Sequence, residues 1–237
     1  MLADLRRRVV AEAIGTAGLL AIVVGSGIMA ERLAAGNVAI ALLANALATG
    51  AGLFALIATL GPISGAHFNP AVTLADAMQG GLSRRDACAY VLAQLIGAFA
   101  GTAIAHMMFG LPILSASHHV RAGGAQWLSE FVASFGLLAT IWGCAHRRSP
   151  HTPFAVAAYI TSAYWFTAST SFANPAVTLA RAASDTFAGI RALDTPPFIA
   201  AQLLGAAAAT LLFRWLAPAS QRTARHVVLE ALEESST

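Results

Sequence analysis

The sequence predicts an all-α membrane protein with six transmembrane helices and two shorter re-entrant half-helices, arranged as an inverted two-fold repeat. Three observations carry that prediction. Of 237 residues, 57% are hydrophobic and only 11% charged, against about 25% charged in ordinary soluble domains. Six apolar runs have the length needed to cross a bilayer. The heptapeptide Asn-Pro-Ala-Val-Thr-Leu-Ala also occurs twice, at 69–75 and 174–180.

The six runs are approximately 9–29, 38–60, 87–109, 127–146, 154–171 and 197–216, each near the ~20 residues that span a ~30 Å hydrocarbon layer. The apolar start is long and lacks a cleavage pattern, so a removed signal peptide is not expected. One heptapeptide lies between the second and third runs, the other between the fifth and sixth. Asn is a good helix N-cap and Pro is favoured at the first helical position, so each copy opens a short helix. Each reaches a charge, Asp76 or Arg181, within about half the length of a full span. Two half-helices of about 15 Å, meeting head to head, would together cross the layer. A helix starts inside a membrane only where protein or a water-filled cavity surrounds it. Two such starts imply a pore.

The repeat extends further. Ala93-Gln-Leu-Ile-Gly-Ala98 in the third run is echoed by Ala201-Gln-Leu-Leu-Gly-Ala206 in the sixth. Glu12-Ala-Ile-Gly-Thr16 in the first is echoed by Glu130-Phe-Val-Ala-Ser134 in the fourth. The chain therefore divides into unit one at 1–110, a polar linker holding His118, His119 and Arg121, unit two at 123–217, and a polar tail at 218–237, read as a short cytoplasmic helix or disordered. An odd number of spans per unit inserts the second copy upside down, a known transport architecture. Arg6–Arg8, Arg84, Arg85, Arg147, Arg148, Arg222 and Arg225 fall on one side; Arg32, Arg121, Arg181 and Arg191 fall on the other. The positive-inside rule then makes both termini cytoplasmic.

Net charge is +3, and every basic residue is Arg. These arginines sit at segment ends rather than in a patch, so no nucleic-acid partner is expected. No nucleotide motif, metal cluster or nucleophile arrangement points to an enzyme, a cofactor or a bound metal. Cys88 and Cys144 fall in or beside apolar runs and read as small core residues. Inversion brings the half-helix N-termini together, each with about half a positive charge, so cations should be repelled at the centre. Asn69 and Asn174 can donate hydrogen bonds to a passing hydroxyl. Glu12 and Glu130 are intramembrane carboxylates and candidates for function by default, a proton relay among the possibilities. Gln94 and Gln202 read as helix–helix hydrogen bonders, and the runs 97–101 and 205–209 as close-packing surfaces. His67 reads as a packed, loop-holding imidazole rather than a gate, and His118 and His119 as solvated linker residues rather than metal ligands.

Ile63-Ser-Gly-Ala-His-Phe-Asn-Pro-Ala-Val-Thr73, the second Asn174-Pro175-Ala176 and the paired glutamates resemble the aquaporin and aquaglyceroporin family, also called major intrinsic proteins. The resemblance covers about residues 9–217. It implies a narrow pore in each subunit of a homotetramer, in contact with the lipid bilayer and open to small neutral solutes. Glu12 and Glu130 become brackets for the Asn-Pro-Ala loops. The first motif comprises Asn69, Pro70 and Ala71, the second Asn174, Pro175 and Ala176. Carbonyls of Gly65, Ala66 and His67, and of Ser171, Phe172 and Ala173, form a ladder of acceptors.

Family members have a four-position outer constriction that usually includes an aromatic residue and an Arg after the second motif. Counting without gaps from the two motif asparagines places these positions at Thr49, Ser162, Ser171 and Val177. On that count the aromatic is absent, Arg is replaced by Val177, and the opening is wide, mildly polar and uncharged. Arg181, one turn beyond Val177, either takes over from the missing Arg in the vestibule or caps the half-helix C-terminus at the interface. Such a wide filter resembles bacterial aquaglyceroporins associated with arsenic resistance, so expected solutes are glycerol-like polyols, water, neutral arsenic hydroxide and methylated arsenicals, in a bacterial inner membrane. The alternatives are a proton-coupled transporter using Glu12 or Glu130, a predominantly water-conducting pore, and a scaffold with a vestigial pore.

Overall fold

Local sequence explains where each helix starts and stops in the computed structural model, which describes residues 4–146 and 149–217. Helix α1 runs Leu5–Leu33. Helix α2, Val38–Ser64, opens on Asn37, whose side chain accepts from the Ala39 and Ile40 N–H groups. It ends with Pro62 in its last turn and Gly65 at φ +89°, a left-handed stop that glycine takes without penalty. The first heptapeptide becomes half-helix α3, Pro70–Met78. Ser83 caps α4, Arg84–Met108, by accepting from the Asp86 N–H. Helix α5 is Gly124–His146 and α6 is Thr152–Phe166. The second heptapeptide becomes α7, Pro175–Arg181. A 3-10 turn at Ala192–Asp194 leads into α8, Thr195–Leu216, with prolines in its first turn. The described residues contain no strand.

The expected fifth span, 154–171, is corrected. Helix α6 ends at Phe166, where Thr167 turns extended at φ −108° and ψ 139°, and Thr170 and Ser171 beyond it take φ of +61° and +51°. Its 15 residues rise about 22 Å, less than a full hydrocarbon layer. The other five, α1, α2, α4, α5 and α8, are long and apolar enough to cross a membrane. Arg147, Arg148 and the tail 218–237, with its expected short helix, Arg222 and Arg225, lie outside the described residues.

Packing follows a two-fold pattern. Helix α1 packs on α4 as α5 packs on α8, and α1 on α2 as α5 on α6. The halves meet along α2 and α6, and each half-helix reaches into the other half, α3 against α8 and α7 against α4. The closest approaches use glycine. A methyl group on Gly97 would overlap the Ala13 carbonyl oxygen of α1, and one on Gly205 would overlap the Phe131 carbonyl oxygen of α5. Membrane helices associate through such small-residue contacts, since lipid supplies no hydrophobic drive between them. At one end Arg8 of α1 pairs with Asp86 of α4 at 2.7 Å. Large apolar side chains such as Ile14, Leu92, Ile96, Leu204 and Leu211 are exposed, while Glu12, Gln94, Glu130 and Gln202 are fully buried. This inside-out distribution suits a lipid surround.

Candidate functional site

The two half-helices meet through their caps. Asn69 Oδ1 accepts from the Ala71 N–H at 2.9 Å, and Asn174 Oδ1 from Ala176 at 3.0 Å and Val177 at 3.3 Å. Each Asn also reaches across the molecular two-fold. Asn69 Nδ2 donates to the Ala173 carbonyl and Asn174 Nδ2 to the Phe68 carbonyl, both at 2.8 Å. An amide group has two hydrogens. One is used in this cross-link, and the second is left for whatever occupies the cavity that both residues line.

The loops before the motifs are unusual backbone. Ala66 and Phe68 have φ of +50° and +48°, and Ser171 and Ala173 repeat the pattern at +51° and +48°. Such non-glycine positions are strained and persist only where surrounding groups over-determine them. Buried carboxylates do so here. Glu12 accepts from the His67 and Phe68 N–H groups at 3.0 and 2.7 Å, from Ser64 at 2.6 Å and from Gln94 at 2.8 Å. Glu130 accepts from Phe172 and Ala173 at 2.9 and 2.8 Å, from Ser169 at 2.5 Å and from Gln202 at 2.6 Å. Gln94 and Gln202 continue to Thr73 and Thr178 on the half-helices, each at 2.8 Å.

This arrangement dictates where the carbonyls point. In a planar trans peptide the C=O of one residue is antiparallel to the N–H of the next. With the His67 and Phe68 N–H groups aimed at Glu12, the Ala66 and His67 carbonyls turn the opposite way. By the same argument the Ser171 and Phe172 carbonyls turn away from Glu130. All four residues line a cavity, whereas neither glutamate does.

That cavity is about 90 Å³, with Gly65, Ala66, His67, Phe172 and Ala173 also in its wall. Four helices contribute stripes. Helix α2 presents Thr49, Leu53 and Ile57, and α6 presents Thr152, Val156, Ile160 and Tyr164, both at the four-residue spacing of one helix face. Helices α1 and α5 add Leu19, Val23, Leu137 and Ile141. The wall is therefore mostly apolar, with polar groups concentrated along the loops and at Thr49 and Tyr164.

Thr49, Ser171 and Val177 line the cavity together; Ser162 does not. Ser162 is exposed on the outside of α6, its hydroxyl donating to the Tyr159 carbonyl at 2.7 Å. Counting without gaps through the irregular 167–173 segment landed two residues from the stripe, about 200° away around the helix. Tyr164 occupies the inward place, its hydroxyl 3.3 Å from Thr49 Oγ1. An aromatic residue thus stands opposite Thr49, and the four-residue stripe on α6 was the signal that finds it. Arg181 is also in the wall, 2% exposed, so the opening is not uncharged. Its Nε donates to the Ala188 carbonyl and its guanidinium lies 3.4 Å from the Phe172 ring centroid. It does not sit at an exposed interface.

The remaining singled-out residues are structural in their surroundings. The His67 ring lies 3.1 Å from Thr73 Oγ1 and packs edge-on to Tyr90. His118 is exposed and meets Asp185 at 3.1 Å. That exposed carboxyl is held below the usual range, chiefly by the His118 backbone N–H at 2.9 Å. Cys88 and Cys144 are free thiols. Among the described residues no group of three potential metal ligands comes together.

The model of the major intrinsic protein family matches residues 2–158 and 148–235, so both halves of the chain are covered. The chain belongs to the major intrinsic protein family. Membership makes it a multi-pass membrane channel rather than an enzyme. Among curated members it is 61% identical to the aquaglyceroporin AqpS of Rhizobium meliloti strain 1021, over 90% of this chain and 91% of that one. It is 33% identical to human aquaporin-2, over 79% of this chain and 73% of that one. The X-ray structure of the Plasmodium falciparum aquaglyceroporin superposes with a TM-score of 0.68, covering 92% and 99% of the two chains at 20% identity. At that identity the match speaks to the fold, and the fold is that of the major intrinsic proteins.

Proposed function

We propose that this chain is a passive channel for small uncharged solutes of the glycerol class, water, and neutral arsenic hydroxide with its methylated relatives. The single observation that carries this is the composition of the cavity wall. A run of donors and acceptors along Gly65–Asn69 and Ser171–Asn174 faces apolar stripes from four helices. A hydroxylated solute can trade its water for carbonyls and Asn amides while its carbon side meets Val23, Leu53 and Ile160. A cation finds no carboxylate in that wall to offset its lost hydration. Thr49, Ser171 and Val177 are proposed as the selecting positions, with Tyr164 in the place first given to Ser162. Arsenic hydroxide enters by its size and hydroxyls, which imitate a small polyol.

The channel is proposed as one domain of two inverted units, 1–110 and 123–217, assembled as a homotetramer in a bacterial inner membrane. The tetramer rests on the family resemblance, and cytoplasmic termini rest on the arginine distribution. A proton-coupled transporter is less favoured, because Glu12 and Glu130 are saturated with hydrogen bonds away from the cavity. Uptake of neutral arsenic hydroxide into proteoliposomes, with and without a protonophore, tests the reading. Uptake above protein-free liposomes that ignores the protonophore is expected. Uptake that collapses with the proton gradient contradicts it.

A further inference from the structure

Arg181 is 2% exposed, yet none of the ion pairs among the described residues includes it. Its Nε is engaged by the Ala188 carbonyl, and no hydrogen bond to its two terminal nitrogens forms among the described residues. Arg121, from the linker, is in the same situation electrostatically. Its guanidinium donates to the Gly189 and Ser169 carbonyls at 2.8 and 3.2 Å, while only its backbone N–H meets Asp194. Both guanidiniums lie against one ring, Phe172, at 3.4 and 5.0 Å from its centroid. Glu130, which cradles the same loop, has both oxygens committed to other donors.

A buried cation with no carboxylate in contact is costly, since Glu130 acts on it only at a distance. A second polar group in the same wall is also unpartnered. Ser171 Oγ is buried, lines the cavity and forms no hydrogen bond. We propose that this end of the cavity is a binding subsite for small monovalent oxyanions, carboxylates and sulfonates among them. The terminal nitrogens of Arg181 pair with two oxygens of the anion, the geometry a guanidinium favours, and the Ser171 hydroxyl donates to one. Arg121 is a positioning residue, fixing the Phe172 ring on which Arg181 rests. Beyond the subsite the helix stripes are apolar, at Val23, Leu53, Ile57 and Ile160, so the anion stops there and blocks the way of neutral solutes. The inference rests on the cavity being the solute path.

The test uses full-length protein in liposomes and sodium methanesulfonate, an oxyanion with no protonated form near neutral pH. Glycerol flux is followed by light scattering with methanesulfonate or chloride at equal ionic strength. Methanesulfonate should slow the flux more than chloride does. R181Q should raise the half-inhibiting concentration about tenfold or more, because a bidentate charge-assisted pair is lost. R181K should recover part of the effect, and S171A and R121Q should each weaken it less. Saturation transfer from the protein to the methanesulfonate methyl, observed by NMR, reads binding directly, even where R181Q does not fold. Absent transfer with the unmodified protein, or equal inhibition of unmodified and R181Q channels, overturns the subsite. Absent glycerol flux in chloride alone instead overturns the solute path, and saturation transfer still reports on the subsite.

Discussion

Val177 and Arg181 stand one turn apart on α7, both buried in the wall of the cavity. A Val177→Arg substitution places a second long cation beside the first, with five more donors within reach of the loop carbonyls. Bulky neutral solutes, methylated arsenicals above all, should lose about tenfold or more of their flux relative to water, equivalent to about 1.4 kcal/mol on the barrier. Stopped-flow scattering on both proteins at matched levels measures that ratio, and an unchanged ratio means that Val177 does not constrict the path. Glu12 offers a sharper structural test. Glu12→Ala strips the acceptor from two backbone N–H groups, Ser64 and Gln94. Each buried orphan costs about 1–3 kcal/mol, together comparable with the whole stability of a typical domain. Fluorescence-detected size exclusion after heating should find no folded Glu12→Ala protein and a lowered midpoint for Glu12→Gln. At this scale the sequence spoke through motifs. Asn69, Asn174, Glu12 and Glu130 stood out because the short motifs around them recur in both halves. Ser162 was taken for the lining residue and Tyr164 missed because an irregular segment of unknown rise separates them from the motif used as a ruler.

The helices owe their arrangement to contacts that side-chain size permits. Gly97 lets α4 touch the α1 backbone at Ala13, and Gly205 lets α8 touch α5 at Phe131. Gly97→Val and Gly205→Val should each cost about 1–3 kcal/mol or more, since the obstacle is backbone that cannot rotate aside. Gly36→Val, at a site with open space and φ +84°, should cost backbone strain alone. Thermal midpoints in detergent should rank both helix variants below Gly36→Val; the reverse order would mean that the helices do not meet there. Five spans and both half-helices were readable from apolar length and from the Asn-Pro start. The end of α6 was not, because the Phe154–Ser171 stretch stays apolar or small past Phe166. The chain leaves the helix at Thr167 and turns through Thr170 and Ser171 into the Glu130 cradle, a long-range cause that hydropathy cannot report.

At the scale of the molecule, the inverted packing sets two half-helix N-termini against each other at the cross-linked asparagines, where their dipoles oppose cations. Arg181 adds a fixed charge in the same cavity. Sodium current under voltage clamp should therefore be indistinguishable from background in the unmodified protein. Replacing both Asn69 and Asn174 with Asp should weaken the barrier, and a sodium current in the unmodified channel would refute it. The inverted repeat was legible in the paired motifs, whereas the charge at the opening was not. Arg181 sits where sequence alone allows either an interfacial cap or a cavity wall, and burial decides between them. One wall of acceptors facing an apolar wall is expected to pass small neutral solutes down their own gradient. Light scattering of proteoliposomes under an inward glycerol gradient, with no proton gradient applied, tests it most directly. Rapid shrinkage should be followed by reswelling faster than in protein-free vesicles, at a rate proportional to the glycerol gradient. Shrinkage without accelerated reswelling, or reswelling that appears only with an imposed proton gradient, would contradict it.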